Sequence, residues 1–245
     1  MAKEEGKDLW LVTGASRGLG SHILAQLGLG GAEVYDLSRS GEGPNHRALD
    51  VSQPAETARV IEAVLNELLG SGRYRSVGLI HNAAVISPIK KIESLDAQDA
   101  KVHLQTNLVS FFALASAFVG GVKKSGLPGT LAFVSSGAAV RGIPGWGLYC
   151  AAKAGGEQII RVLAQEAGEF LMPFIFDPGI MDTVMQEEIR SSTEEDFPLV
   201  SQFRGYHDTG KLQAPAEVAR KLVKLLAGDY GPLEAGTRYS ARDLV

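Results

Sequence analysis

Short apolar segments alternate with helical patterns along the whole chain, from DLWLVTG near the start to AGTRYS near the end. Strands this apolar bury both of their faces, which indicates a parallel sheet covered by helices on each side. We therefore predict an α/β fold with one domain over residues 1–245. The expected architecture is a doubly wound, mostly parallel sheet of about seven strands.

Helical patterns separate the strands, and Pro54 suits the first turn of one of them. The helices are predicted at Ser21–Leu29, Pro54–Leu69, Ala97–Val122, Gly147–Phe170 and Pro215–Leu226. The segment Met181–Lys211 is polar and without clear periodicity. We expect it to be an irregular insertion that covers a substrate pocket as a lid.

Composition excludes several classes of function. The net charge is −4 and no basic run occurs, so nucleic acid is not an expected partner. The start, MAKEEGKD, lacks the apolar core of a signal peptide. The apolar stretch Leu108–Val122 is too short and too polar for a membrane span, and no membrane partner is expected.

The single cysteine, Cys150, excludes an intramolecular disulfide and a cysteine-based zinc cluster. No metal is predicted. A reducing cytoplasm is the expected location.

The turn TGASRGLG follows the first predicted strand and opens the first helix. Glycine at Gly14, Gly18 and Gly20 permits positive φ and lets the backbone approach a pyrophosphate closely. The helix N-terminus adds free N–H groups and partial positive charge. In this strand–turn–helix context, the turn predicts a dinucleotide site.

The end of the second strand, YDLSRS, bears on the choice of nicotinamide cofactor. Ser38 stands where an acidic residue would favour a free ribose hydroxyl, and Arg39 follows it. Arg17 adds a second cation that suits a phosphate. These residues favour NADP(H), although Asp36 points to the same side of the strand as Ser38. Asp50 is placed either at the adenine or at a helix N-cap.

Tyr149 and Lys153 stand four residues apart in GWGLYCAAKAGG, so they share one face of a helix. Tyrosine alone is a poor acid at neutral pH because its pKa is about 10. A neighbouring ammonium lowers that pKa, and the pair can act as a general acid–base. A tyrosine packed on a lysine stem gives the same short pattern, so other residues must decide.

Further polar residues follow strands on the same predicted edge. Ser135 and Ser136 end the fourth strand, and HNAA at positions 81–84 ends the third. Asn107 lies in an otherwise apolar helix, where a buried amide needs partners. Its alternative role is to cap nearby backbone.

Together these motifs resemble the short-chain dehydrogenase/reductase family, a single-domain Rossmann fold. The resemblance runs nearly from end to end, from the glycine-rich turn to Thr183. The family spacing places the serine thirteen residues before the tyrosine, which selects Ser136. The resemblance implies that Tyr149 donates a proton to the substrate carbonyl and that Lys153 lowers its pKa and holds the nicotinamide ribose. It also implies that Ser136 binds the substrate oxygen and that Asn107 holds a water for a proton relay.

The resemblance also implies a set of NADP(H) contacts. They are Gly14, Ser16, Arg17, Gly18, Leu19, Gly20, Ser38, Arg39, Asp50, Val51, Asn82, Ala83, Ala84, Tyr149, Lys153, Pro178, Gly179, Ile180 and Thr183. Two positions depart from the family pattern, His81 and Ala84. The alanine requires a negative φ, and the histidine is expected to be a packed residue.

The segments LYCAAKAG, DPGIMDTVMQEEIRSS and HDTGKL are similar to those of sepiapterin reductases and bacterial benzil reductases. Both reduce one ketone of a vicinal dicarbonyl with NADPH. Ser240 replaces the acid that anchors a pterin in the former, with Asp243 the nearest acid, so an apolar diketone is favoured. The predicted substrate pocket comprises Trp146, Met181 and Met185, with Phe203 or Tyr206 as further candidates.

The alternatives are a sepiapterin reductase, a less favoured 3-oxoacyl carrier-protein reductase and a non-catalytic NADP(H) sensor or scaffold. The family resemblance also implies a homodimer or homotetramer formed through the two long helices.

Overall fold

A computed structural model describes residues 6–244 and contains one fully parallel sheet. Its strands are β1 Lys7–Thr13, β2 Glu33–Ser38, β3 His46–Ala48, β4 Tyr74–His81, β5 Gly129–Val134, β6 Leu171–Asp177 and β7 Arg238–Ser240. Their spatial order is β3-β2-β1-β4-β5-β6-β7. The order reverses between β1 and β4, and in such sheets the ligand site lies at this point, beyond the carboxyl ends. The predicted single-domain Rossmann fold is confirmed.

Helices connect the strands and cover both faces of the sheet. They are α1 Gly18–Leu29, α2 Pro54–Leu69, α3 Ala97–Leu104, α4 Ser110–Ser125, α5 Gly147–Glu166, α6 Val184–Arg190, α7 Val200–Asp208 and α8 Pro215–Ala227. A π-helical turn at Gln105–Val109 joins α3 to α4. Short 3₁₀ turns occupy Ile92–Ser94, Gly137–Ala139 and Gly168–Phe170.

Alternate residues of each central strand pack into different cores. In β1, Leu9 and Leu11 face the core that α2, α4 and α5 cover, whereas Val12 faces the core under α1 and α8. Successive strand side chains point to opposite faces, so a strand buried on both sides must be apolar throughout. This explains the continuous apolar runs in the sequence.

The segment 97–125 is 29 residues long, and its length and mean hydropathy of 1.4 would allow it to cross a membrane. Half of its most apolar window is buried within the protein. In α4, Phe111, Leu114, Phe118 and Val122 are fully buried in the core that α2 and the sheet complete. The segment therefore packs as a core helix.

Several predicted boundaries differ from the structure. The strand β3 has only three residues and no apolar run, so nothing in the sequence indicated it. The predicted helix 97–122 is interrupted by the π turn, and the helix predicted to reach Phe170 ends at Glu166. The last strand is limited to Arg238–Ser240.

The expectation that residues 181–211 are irregular is wrong. Two helices, α6 and α7, occupy this segment and share a small apolar cluster with Trp146 and Tyr149. Ile189, Phe197, Val200 and Phe203 are buried there. These residues are distributed over two short helices and the turn between them, so a single helical period does not fit their spacing. Its function as a substrate lid stays a prediction.

Close packing of α5 on β5 depends on Gly156. A Cβ at this position would collide with the ring of Phe133, which is fully buried. We predict that Gly156→Ala lowers the free energy of unfolding by about 1–3 kcal/mol, the usual cost of overpacking a core. Gly120→Ala is the control, since a Cβ there meets no atom within 4 Å. Denaturant unfolding should show no loss for the control, and equal losses would contradict this account.

Candidate active site

A cleft of about 580 Å³ lies along the carboxyl edge of the sheet. The glycine-rich turn forms one wall, and the ends of β2, β4 and β5 form its floor. α5 and the start of the segment 181–211 close the opposite side. Parallel strands bring their carboxyl ends to one edge, which is why motifs distant in sequence meet here.

Most of the predicted cofactor residues line this cleft. They are Gly14, Ser16, Arg17, Gly18, Leu19, Ser38, Arg39, Asp50, Val51, Asn82, Ala83, Ala84, Tyr149, Lys153, Pro178 and Thr183. Gly20, Gly179 and Ile180 do not line it. The lining also includes residues that the sequence did not single out, namely Ser40, Leu49, Ser52, Val85, Ser87, Val102, Thr106, Val134 and Val184. Small or apolar residues of this kind carry no motif.

The glycine-rich turn has the backbone that the sequence predicted. Gly14 and Gly18 have φ values of 66° and 58°, which favour glycine. Gly20 has a different role from the predicted contact. A Cβ there would collide with the Gly14 carbonyl oxygen and lie 2.7 Å from Asn82 Nδ2, so it allows α1 to approach the turn.

Tyr149 and Lys153 lie one helical turn apart in α5 and both line the cleft, although they are only 6% and 3% exposed. Lys153 Nζ donates to the Val134 carbonyl at 2.8 Å and lies 5.6 Å from the centre of the Tyr149 ring. Burial lowers the pKa of Lys153 to about 8, while Glu157 acts to raise it. The ammonium is thus held at the cleft by a backbone carbonyl.

Burial raises the pKa of Tyr149 above its ordinary value. Hydrogen bonding with Ser136 lowers this pKa, and the Asp177 carboxylate raises it further. The group that lowers the pKa of Tyr149 against the effect of burial is Ser136 rather than Lys153. In this arrangement the phenol is therefore held protonated, as a proton donor requires.

Ser135 and Ser136 have separate roles. The Ser135 hydroxyl donates to Glu157 Oε1 at 2.6 Å within the core. The Ser136 Oγ accepts from the Ala138 N–H at 3.2 Å, and hydrogen bonding with this side chain lowers the pKa of Tyr149. Ser135 lines the cleft and Ser136 does not, so the assignment of Ser136 as the serine of the site stays a prediction.

Asn107 lies in the π turn and is set back from the cleft lining. Its Oδ1 accepts from the Val85 N–H, and its Nδ2 donates to the Val85 carbonyl, each at 2.9 Å. A second Nδ2 contact, at 2.8 Å, is with Nε2 of His103. Both N–H groups are therefore in use, and the side chain caps backbone, as its alternative role predicted.

His103 is a residue that the sequence analysis missed. It is 1% exposed, its Nδ1 contacts the Ser87 carbonyl at 2.9 Å, and its ring meets the edge of Tyr149. A donor at Nδ1 leaves Nε2 as an acceptor for Asn107. The only feature of the sequence that could have indicated its role is its position four residues before Asn107.

The two departures from the family pattern are accommodated. His81 is 1% exposed and stacks on Phe111 and Phe133, with Nδ1 3.1 Å from Thr13 Oγ1. Burial and the nearby Lys153 lower its pKa to about 3. It is a neutral packed residue, as predicted. No residue other than glycine has positive φ within 6–244, so Ala84 fits.

At the end of β2, Asp36 is already engaged. Its Oδ2 accepts from Ser38 Oγ at 2.8 Å and lies 3.2 Å from His46 Nδ1. Arg17 and Arg39 are exposed and line the cleft, and their guanidinium groups have no hydrogen bond or ion pair with residues 6–244. Two arginines without a partner thus stand where a negative ligand group would lie.

Asp50 and Thr183 both use their side chains locally. Asp50 Oδ1 accepts from the Ser52 N–H at 2.9 Å, and the N-cap of α2 is Gln53 rather than Asp50. Thr183 is the N-cap of α6, with its Oγ1 accepting from the Gln186 N–H at 3.4 Å. Both still line the cleft.

Trp146, predicted to be in the substrate pocket, is not among the residues that line the cleft. It is 6% exposed and stacks on Phe197 with ring centres 5.0 Å apart. It also meets Tyr149 and Phe203 edge to face. Met181 and Met185 do line the cleft, as predicted. Trp146 therefore supports Tyr149 from behind and anchors the 181–211 segment, because aromatic pairing adds to burial.

The model of the short chain dehydrogenase family matches residues 9–194. The chain belongs to this family. It is thus an oxidoreductase by family, and members typically bind NAD(H) or NADP(H).

Two kinds of relative support a carbonyl reductase. This short-chain dehydrogenase is 34% identical over 227 residues to a benzil reductase ((S)-benzoin forming) from Bacillus subtilis, covering 89% of this chain and 93% of the relative. It is 29% identical to sepiapterin reductase from Rattus norvegicus, covering 89% and 91%. A solved short-chain dehydrogenase/reductase from Saccharomyces cerevisiae has a TM-score of 0.81 and 27% identity, covering 97% of each chain.

The close approach of Gly20 to the Gly14 carbonyl oxygen predicts that a side chain at position 20 weakens cofactor binding. In Gly20→Ala the new Cβ displaces the turn, and overpacking costs about 1–3 kcal/mol. Because 1.4 kcal/mol is tenfold in an equilibrium constant, NADPH affinity should fall about tenfold or more by fluorescence titration. Gly28→Ala on the same helix meets no atom within 4 Å and should bind normally. Unchanged affinity in Gly20→Ala would show that the turn tolerates a side chain.

Proposed function

We propose that this chain is an NADPH-dependent carbonyl reductase. It reduces one ketone of a vicinal dicarbonyl, such as benzil, to the hydroxy ketone, with Tyr149 as the proton donor. The observation that carries the proposal is the buried pair of Tyr149 and Lys153 that lines the cleft, with the partly buried Ser136 beside Tyr149.

Three residues have separate roles in proton delivery. Tyr149 donates its phenolic proton to the carbonyl oxygen, which becomes the new hydroxyl. Ser136 hydrogen-bonds the same oxygen and stabilises the negative charge that develops on it. Lys153, held by the Val134 carbonyl, places a positive charge beside the phenolate that remains.

The cleft fits a nicotinamide dinucleotide. Glycine at Gly14 and Gly18 leaves the backbone open, and the N-terminus of α1 supplies N–H groups for a pyrophosphate. When bound, the nicotinamide supplies the hydride that is added to the carbonyl carbon. Lys153 would hold the nicotinamide ribose, and Thr183 would bind the carboxamide or pyrophosphate.

The end of β2 favours NADPH over NADH. Asp36, the acid that would favour a free ribose hydroxyl, is engaged with His46 and Ser38 and does not line the cleft. Arg17 and Arg39 line it and suit the geometry of a 2′-phosphate.

The vicinal dicarbonyl substrate is supported by the benzil reductases at 34% and 30% identity. Met181 and Met185 provide an adaptable apolar wall for such a ligand. The sepiapterin reductases at 29–30% identity keep a pterin ketone as the second candidate. Ser240 and the exposed Asp243 favour the diketone. Residues 181–211 would close over it as a lid.

A homodimer or homotetramer and a cytoplasmic location stay predictions. The exposed apolar side chains Val109, Phe112 and Val162, on the long helical segments 97–125 and α5, support an assembly through those helices.

The function is tested by NADPH oxidation at 340 nm with benzil, other 1,2-diketones and sepiapterin. We expect wild-type turnover of the diketones, and loss of about 10²–10⁴-fold in Tyr149→Phe, the range that general acid catalysis contributes. NADPH affinity should persist, since the ring is retained.

Tyr35→Phe is the matched control. Its hydroxyl donates to Glu33 outside the cleft, so turnover should match the wild type. Near-normal turnover of Tyr149→Phe would refute the proton donor. Tight NADPH binding by the wild type without reduction of any ketone would refute the enzyme and favour a sensor or scaffold.

The cofactor preference is tested by Arg39→Ala. Loss of a charge-assisted contact of about 1.5–3 kcal/mol should weaken NADPH binding about 10- to 100-fold while leaving NADH binding nearly unchanged. Arg59→Ala, which removes an exposed arginine paired with Glu56 on α2, should change neither. Equal losses for the two cofactors in Arg39→Ala would place Arg39 away from the 2′-phosphate.

A further inference from the structure

A cluster of charged side chains lies behind Ser136, where β5 and β6 end and β7 begins; Glu157 and Asp177 are buried, and Arg238 is partly buried. Arg238 of β7 is at its centre and donates to three acceptors on separate elements. Its Nε donates to Glu157 Oε1 at 2.9 Å, and its Nη2 donates to Asp177 Oδ2 at 2.9 Å and to the Ser136 carbonyl at 3.1 Å. The guanidinium thus joins α5, β6 and the loop that carries Ser136.

Glu157 anchors this cluster from α5. Its side chain is 1% exposed, and Oε1 accepts from the Ser135 hydroxyl at 2.6 Å as well as from Arg238. Its Oε2 accepts from Arg161 at 2.6 Å. A buried carboxylate is tolerated only with such partners, and a buried ion network adds little stability over apolar packing. Stability alone therefore gives little reason for its presence.

The cluster holds the serine loop from two sides. Arg238 binds the Ser136 carbonyl, and Glu157 binds the hydroxyl of the residue before it, Ser135. The Ser136 side chain, whose hydrogen bonding lowers the pKa of Tyr149, projects from this backbone. The third acceptor, Asp177, also accepts from the N–H of Gly179 at 3.0 Å, which orients the loop after β6.

We propose that Arg238 is a positioning residue for the reduction, and that through Glu157, Asp177 and the Ser136 carbonyl it fixes the Ser136 hydroxyl opposite the Tyr149 phenol. This inference rests on the proposed function. Three acceptors around one planar group require the fork of an arginine, whereas a lysine presents a single point charge. Arg238 itself touches neither Tyr149 nor Lys153 in its hydrogen bonds and ion pairs.

The charges of the cluster are consistent with this role. Glu157 lies one turn beyond Lys153 on α5 and raises the pKa of that lysine against burial. Asp177 raises the pKa of Tyr149. Arg238 pairs with both carboxylates, so it tempers the negative charge behind the proton donor while it holds the serine.

The test compares Arg238→Met, Arg238→Lys and a control, Arg161→Met. Arg161 pairs with the same Glu157 from the other oxygen but is 42% exposed and contacts neither Ser136 nor Asp177 in the hydrogen bonds and ion pairs of residues 6–244. We expect kcat for benzil to fall about a hundredfold in Arg238→Met, as for a misplaced catalytic group. Arg238→Lys should recover part of kcat, and Arg161→Met should keep it.

NADPH binding stoichiometry separates positioning from misfolding. Arg238→Met and Arg238→Lys should bind one NADPH per chain while turning over slowly. A wild-type kcat in Arg238→Met, or an equal loss in Arg161→Met, would overturn the proposal. If the methionine variant does not fold, a wild-type kcat in Arg238→Lys overturns it and a lowered kcat with full NADPH binding supports it.

Crystal structures of the wild type and Arg238→Lys give a readout independent of substrate. The distance from Ser136 Oγ to Tyr149 Oη should increase in the variant, and an unchanged distance would overturn the positioning role. If the wild type reduces no ketone, the proposed function fails while this comparison still decides the role of Arg238.

Discussion

All seven strands of the sheet are parallel, so their carboxyl ends meet along one edge, and the whole candidate site depends on this. The glycine-rich turn follows β1, Asn82 follows β4 and Ser136 follows β5. The glycine-rich turn and Asn82 are far from Tyr149 in sequence, whereas Ser136 stands thirteen residues before it. The helices that return the chain across both faces are what bring them to one cleft.

Burial is the second constraint on the chemistry. It raises the pKa of Tyr149 and lowers that of Lys153, so each side chain is pushed toward its neutral form. Local contacts oppose this at both positions: Ser136 at the phenol and Glu157 near the ammonium. The two residues that oppose the effect of burial, Ser136 and Glu157, are themselves joined through Arg238, which bonds to both.

The sequence predicted those parts of the site whose geometry depends only on residues close together in the chain. The turn at Gly14 and Gly18 requires positive φ, and the spacing of Tyr149 and Lys153 requires one helical face. The structure of the segment 181–211 was predicted less well. Its helices and the burial of Trp146 depend on Phe197, some fifty residues later in the chain, and no local period encodes that stacking.

The sequence by itself therefore determined the fold class, the family, the glycine-rich turn and the placing of Tyr149 and Lys153 on one helical face, because each rests on strand alternation or on a motif of fixed spacing. Tertiary structure decided which side chains face the cleft and which support it. Asn107 is occupied by Val85 and His103, Trp146 packs behind Tyr149, and Arg238 reaches Ser136 across the sheet. Such contacts join residues far apart in the chain, and only the packing of helices on the sheet sets their distances.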